Sequence, residues 1–215
     1  MSPLLVALLG VLLVPLFVAT WRTSLLGLCG QGFLMAWIAY RLCPPHLAAS
    51  DWITLADLAL VRGLLAPLAL YGVLHSHRAP SRNDVIPPNL LSWTIALVIV
   101  LLGFNLAQSL VPAHGPQQTL VAVATTGVML GFLVLSTQSG PFSQMIGALR
   151  IENAIALFEL GGERHEHGVA IQLGQSVVVI LTILLYRWYL RSLTQRAAAP
   201  INEVVEGGSG QVPTL

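Results

Sequence analysis

The sequence contains no lysine; its ten strongly basic residues are all arginine. Charge of either sign is scarce, at 9% of 215 residues, where a soluble globular domain carries about 25%. Ten basic residues against nine acidic ones leave a net charge of +1, too little to build a surface that attracts a polyanion. A nucleic-acid binder, a disordered chain and an ordinary soluble enzyme are thereby excluded. Cysteine is nearly absent. Cys29 and Cys43 stand fourteen residues apart without any Cys-x-x-Cys, so metal clusters, haem attachment and a disulfide framework lose support. Both read as small apolar side chains. There is no Gly-x-Ser-x-Gly, phosphate loop, His-Glu-x-x-His or dinucleotide fingerprint. These absences speak most strongly against a nucleotide-driven pump acting alone.

What is present is apolar: 55% of the residues are hydrophobic and the mean hydropathy is +0.78. A helix needs about 20 apolar residues to cross the hydrocarbon core. Seven segments qualify: Pro3–Thr20, Ser24–Cys43, Trp52–Leu74, Leu90–Val111, Thr119–Thr137, Ser143–Leu160 and Val169–Leu190. They are apolar all round rather than alternating, which argues against a β-barrel. The expectation is an all-α, polytopic membrane bundle of about seven transmembrane helices, formed by a single domain over residues 1–196. Residues 197–215, with Gly, Pro and Glu but no periodicity, read as a poorly ordered tail.

The arginines orient the bundle. With seven spans, Arg22, Arg78, Arg82, Arg187, Arg191 and Arg196 fall on one side, and Arg41 and Arg164 on the other. Basic residues favour the cytoplasmic side, so the N-terminus is expected outside and the C-terminus inside. A cleaved signal peptide is the rival reading of the first span, which lacks a positive n-region.

Two spans carry charge where charge is expensive. The third holds Asp57 and Arg62; the sixth holds Arg150, Glu152, Asn153 and Glu159. A charge at the middle of a membrane helix costs roughly 2.5–3.5 kcal/mol on insertion scales, so such residues face the bundle interior and find partners. Glu152 and Glu159, seven residues apart, share a helix face about 10 Å apart and could pass a proton through water. Arg150 and Glu152 are two apart and cannot meet on one helix. Asp57 and Arg62, five apart, also point in different directions on an α-helix. Each charge is therefore expected to find its partner on another helix, with Arg62 against Glu152 as the preferred pair. Pro67 follows within the third span and frees a backbone carbonyl. A proton or ion path and a purely structural pair that pins two helices both remain open at this point. The loop Glu163-Arg164-His165-Glu166-His167 offers two histidines around a glutamate, but no third ligand at a metal-site spacing.

Four stretches carry a family resemblance. They are Leu16-Phe17-Val18-Ala19-Thr20-Trp21-Arg22, Val61-Arg62-Gly63-Leu64-Leu65-Ala66-Pro67-Leu68, Ile151-Glu152-Asn153-Ala154-Ile155 and Glu166-His167-Gly168-Val169-Ala170-Ile171-Gln172. In these, and in span order along about 200 residues, the chain resembles component E of hydrogenase-4, a membrane subunit of formate hydrogenlyase-type complexes. The family usually has lysine where Arg62 stands and aspartate where Gln172 stands. Lysine can lose its proton when buried whereas arginine stays charged, and glutamine cannot exchange a proton at ordinary pH.

The resemblance implies a non-catalytic membrane subunit of a hydrogenase-4-like or complex-I-like oxidoreductase in a prokaryotic cell membrane. It would lie beside antiporter-like membrane subunits and a peripheral redox arm. That arm would hold the iron–sulfur clusters and, in true hydrogenases, a nickel–iron centre; this chain would hold no cofactor. Proton-relay candidates are Glu152, Glu159, Glu166 and Asp57, with Arg62 and Arg150 as charge partners. The alternatives are a non-catalytic scaffold of such a complex and a stand-alone small-molecule transporter. The second lacks an inverted repeat and paired broken helices.

Overall fold

The computed structural model describes residues 3–17, 20–44, 46, 48–76, 90–111, 115–137, 140–161 and 169–198, and all its regular structure is helical. Among the described residues seven helices follow one another: α1 (Pro3–Phe17), α2 (Trp21–Leu42), α3, α4 (Leu90–Leu110), α5 (Pro116–Thr137), α6 (Pro141–Gly161) and α7 (Val169–Ala198). Helix α3 is one continuous rod of three stretches, α-helical Ala49–Ala56, π-helical Asp57–Leu65 and α-helical Ala66–Ser76. Five of the seven are long and apolar enough to cross a membrane: α2, α3, α4, α5 and α7. Helix α1 is short, at 15 residues, and α6 carries Arg150, Glu152 and Glu159. The histidine-bearing loop with Glu166, the loop with Arg78 and Arg82, and residues 199–215 of the expected tail lie outside the described residues.

Local chemistry sets the helix ends. Thr20 is extended, and its hydroxyl accepts the Thr23 N–H at 3.4 Å, capping α2. Cys43 ends α2 in the extended conformation imposed by the proline that follows it. Asp51 Oδ2 accepts the Ala48 N–H at 3.0 Å and puts a negative charge in the first turn of α3. Helices α5 and α6 both begin on proline, which needs no donor there.

The closest packing joins α5 to α6, then α2 to α3, then α4 to α5, with α3–α7 and α1–α2 next. Helices α1, α2, α5 and α6 form the inner group. Helix α4 rests almost wholly on α5. Helix α7 lies along α3 and touches α6 lightly. Where α2 meets α3, glycine faces glycine: a Cβ on Gly32 would stand 2.5 Å from Gly63 Cα and 2.6 Å from its N. Backbone therefore lies directly on backbone at this crossing, as small residues allow between membrane helices.

Two apolar cores result, with a polar layer between them. One contains Leu8 and Leu12 of α1, Met35 and Ile38 of α2, Leu58 of α3 and Leu157 of α6. The other contains Leu25 and Leu28, Ala66 and Leu70, Phe142 to Leu149, and Ile183 of α7. On α2, α3 and α6 the residues between the two cores are Gln31 and Gly32, Arg62 and Gly63, and Arg150 to Asn153. All lie near the middle of their helices. At the end where α2 begins and α3 stops, the Trp21 and Tyr71 rings lie 6.1 Å apart and Arg22 sits 5.1 Å over Trp21. Such an aromatic and basic rim suits a membrane–water interface.

Gly32→Ala should therefore lower thermal stability in detergent by about 1–3 kcal/mol, because the new methyl meets backbone that cannot rotate away. Gly72→Ala, with nothing within 4 Å of its Cβ position, should leave the midpoint unchanged or slightly raised. Equal midpoints for the two variants would show that the α2–α3 crossing is not tight.

Candidate functional site

The π-helical stretch determines the site. In a π-helix the backbone bonds from residue i to i+5, as when Ala66 N–H reaches the Val61 carbonyl. Residues five apart are then stacked, not splayed. Arg62 Nε accordingly donates to Asp57 Oδ2 at 2.8 Å, on the same helix. The expectation that Asp57 and Arg62 point apart, and that Arg62 pairs with Glu152, is corrected here: it assumed α-helical geometry. Two residues account for the widened turn. Pro67 has no N–H and its ring would strike the carbonyl four residues back, that of Gly63. Gly63, pressed on Gly32, gives the backbone room to adjust.

Arg62 still reaches α6. Its Nη1 donates to Asn153 Oδ1 at 3.2 Å, a buried bond between residues 91 positions apart. The ion pair and the amide thus join α3 to α6 at mid-depth. Asp57 Oδ1 and Asn153 Nδ2 are buried without a partner among the described residues. So is Gln31 Oε1 of α2, on a side chain only 1% exposed. Groups of this kind are ordinarily met by ordered water.

Arg150 finds its partner elsewhere. It is 2% exposed, and its Nη1 donates to the Leu12 carbonyl of α1 at 3.1 Å. Its guanidinium lies over Gly27 of α2, where a Cβ would come within 2.7 Å of Nη2. Nε and Nη2 are unpartnered, and no carboxylate pairs with Arg150 among the described residues. Arg150 is therefore a charge partner only in the sense that its charge is buried nearby.

Glu152 and Glu159 share a face, as their spacing predicts, and the face is the one turned to α7. Glu159 is exposed and its Oε1 accepts from Gln175 Nε2 at 3.0 Å. Glu152 is half-buried, turned toward Thr182, whose hydroxyl donates to the Val178 carbonyl at 2.9 Å, and lies within electrostatic reach of Arg62; its Oε2 is buried without a partner. From Glu159 to Glu152 and from Gln175 to Thr182 is seven residues each, in opposite senses, so the two helices run antiparallel with their polar groups in register. One turn beyond Thr182, Tyr186 lies within electrostatic reach of Glu152. Tyr186 also lines an open groove of about 430 Å³, together with Leu135 of α5, Pro141, Gln144 and Met145 of α6, and Leu185, Trp188 and Tyr189 of α7. The seam between α6 and α7 is thus a line of oxygen-bearing side chains that ends at an open groove on the bundle surface.

Of the expected site residues, Asp57, Arg62 and Glu152 come together and Arg150 lies one turn away. Glu159 stands apart at the surface of the seam, and Glu166 is outside the described residues. The sequence reading assigned no role to Asn153 beyond its place in a motif, and missed Gln31, Thr182, Gln175 and the Leu12 carbonyl. A lone amide beside a glycine in an apolar run was the available signal for Gln31. Cys29 and Cys43 are free thiols, both half-buried. Among the described residues no three His, Cys, Asp or Glu side chains converge as a metal site.

Comparison with family models, curated proteins and solved structures finds no match to this chain.

Arg62→Leu should cost up to about 3–5 kcal/mol in detergent unfolding, since it leaves the half-buried Asp57 without its partner. The double variant Asp57→Leu/Arg62→Leu should recover most of that loss. A double variant no more stable than Arg62→Leu alone would show that the pair does not bear on α3.

Proposed function

We propose that this chain is a membrane subunit of a hydrogenase-4-like or complex-I-like oxidoreductase and that Glu152 carries protons within it. On this reading all seven helices cross a prokaryotic cell membrane, with the N-terminus outside and the C-terminus in the cytoplasm. Helix α6 belongs in the membrane despite its charges, because Arg150 and Asn153 are buried by other helices and Glu152 is turned to α7. Antiporter-like membrane subunits and a peripheral arm with iron–sulfur clusters would be the partners. The chain itself contributes side chains, not cofactors.

The observation that carries the reading is the surplus carboxylate. A structural lock needs only Arg62, Asp57 and Asn153, and these three already join α3 to α6. Glu152 is left with one unpartnered oxygen at mid-helix, on the seam that leads to the open groove beside Tyr186. An ionisable group that the lock does not require, kept in the hydrocarbon layer, reads as part of a path. Arg62 would act as a fixed charge beside it, because arginine does not give up its proton.

A scaffold is the second reading, favoured by Arg62 and Gln172, neither of which can relay a proton. Glu152→Gln in the native complex, assayed in sealed vesicles, separates the two. Translocation predicts normal assembly with proton movement per turnover reduced at least tenfold, and a smaller loss for Glu159→Gln. A scaffold predicts reduced assembly, with full coupling in the complex that survives.

A further inference from the structure

The two arginines of the polar layer are treated differently by the fold. Arg62 has Asp57 at 2.8 Å and lies within electrostatic reach of Glu152. Arg150 is 2% exposed and makes one bond, from Nη1 to the Leu12 carbonyl. Glu152 is two residues along the same helix, about 200° around it, and is turned to α7. Among the described residues no carboxylate pairs with Arg150. Arginine keeps its proton when buried, so the charge stays. The carbonyl satisfies one N–H and leaves that charge unbalanced.

The two nitrogens that remain form one edge of the guanidinium. Nε and Nη2 direct their N–H bonds side by side, and both atoms are buried without a partner among the described residues. This is an edge that holds an anion through two parallel bonds. Ordered water would meet the hydrogen bonds but bring no charge. Gly27 of α2 leaves room for the group: a Cβ there would stand 2.7 Å from Nη2. One turn along α2 from Gly27 is Gln31, 1% exposed, and one turn along α6 from Arg150 is Asn153, 3% exposed. Asn153 Nδ2 is a buried donor without a partner. Gln31 Oε1 is unpartnered as well, and a half-turn of that amide presents Nε2 in its place. Around these groups Leu28 of α2 and Ile146 and Leu149 of α6 are apolar and buried. A single positive charge enclosed by apolar walls suits an anion that is small, carries one charge and sheds water readily.

We infer that Arg150 holds a small monovalent anion, of the size and charge of chloride, between α1, α2 and α6. The anion balances a charge for which the fold supplies no acid, and it ties α6 to its neighbours beside the single bond to Leu12. The inference is independent of the redox reading.

The test uses the full chain purified in mild detergent. Equilibrium dialysis with radioactive chloride in gluconate buffer should find one saturable site per chain. Bromide and nitrate should displace the label, and gluconate and sulfate should not. The thermal midpoint should rise saturably when chloride replaces gluconate at constant ionic strength, because a ligand bound by the folded chain stabilises it. Arg150→Lys retains a charge but not the two-bond edge, and should weaken chloride binding at least tenfold. Arg150→Leu should abolish the binding and make the midpoint indifferent to chloride, whereas Gly72→Ala should bind as the wild type does. The wild-type isotherm and Arg150→Lys carry the test if Arg150→Leu does not fold. No saturable chloride on the wild-type chain would mean that water alone meets Arg150, and would overturn the proposal. Binding unchanged in Arg150→Lys, or a midpoint raised equally by every salt, would overturn it as well.

Discussion

A buried arginine is held where its guanidinium finds oxygen partners, and Arg62 finds its carboxylate within its own helix. Five residues separate it from Asp57, a spacing that an α-helix turns apart and a π-helix stacks. The ion pair at 2.8 Å and the widened turn therefore require one another. The widened turn in turn depends on Pro67, which cannot continue the regular bonding pattern, and on Gly63, whose backbone lies against Gly32. Through that contact the position of α2 follows from the geometry of α3, and through Asn153 the position of α6 does as well.

The polar layer divides the interior into two apolar cores, and the two sides of α6 differ in how firmly they are held. Toward α5 it packs closely, with Gly127 against Ala154 and Gly131 against Ile151. Toward α7 few backbone contacts exist; Gln175 bonds Glu159 across the seam, and Glu152 faces Thr182. Rigid packing on one side and polar side chains on the other is an arrangement in which α7 can shift while α6 keeps its place. The open groove beside Tyr186 lies on the looser side. Local opening follows contact density, so motion in this bundle should concentrate at α7.

The helices were legible because a membrane permits only backbone that bonds to itself, and seven apolar segments lie within a few residues of the seven helices found. The differences are at the ends. Helix α6 starts two residues earlier, at Pro141, which serves as a first helical residue, and α7 runs on to Ala198 where apolarity ends near Leu190. The shared face of Glu152 and Glu159 was also legible, since their seven-residue spacing depends only on α-helical periodicity. Arg62 was misread for the same reason in reverse. A π-turn has no hydropathy signature, and any wheel drawn at 100° per residue places Asp57 on the wrong side. The Leu12 carbonyl was beyond reach altogether, because every residue has one and only the fold brings this one to Arg150.

The pairing pattern has a consequence for the order in which the bundle assembles. Helix α3 carries both charges of its ion pair, so it can enter the membrane as a nearly neutral rod. Helix α6 cannot, because Arg150 and Glu152 are two residues apart and face different neighbours. Arg150 needs the carbonyl of α1, Asn153 needs Arg62 of α3, and Glu152 meets α7. Two of those three partners precede α6 in the chain and one follows it. An α6 released beside α1 and α3 can bury Arg150 and Asn153 at once, and Glu152 is then the charge still open when α7 arrives. The same residue that the lock does not need is thus the last to be enclosed, on the least consolidated seam, where exchange with water demands the smallest rearrangement.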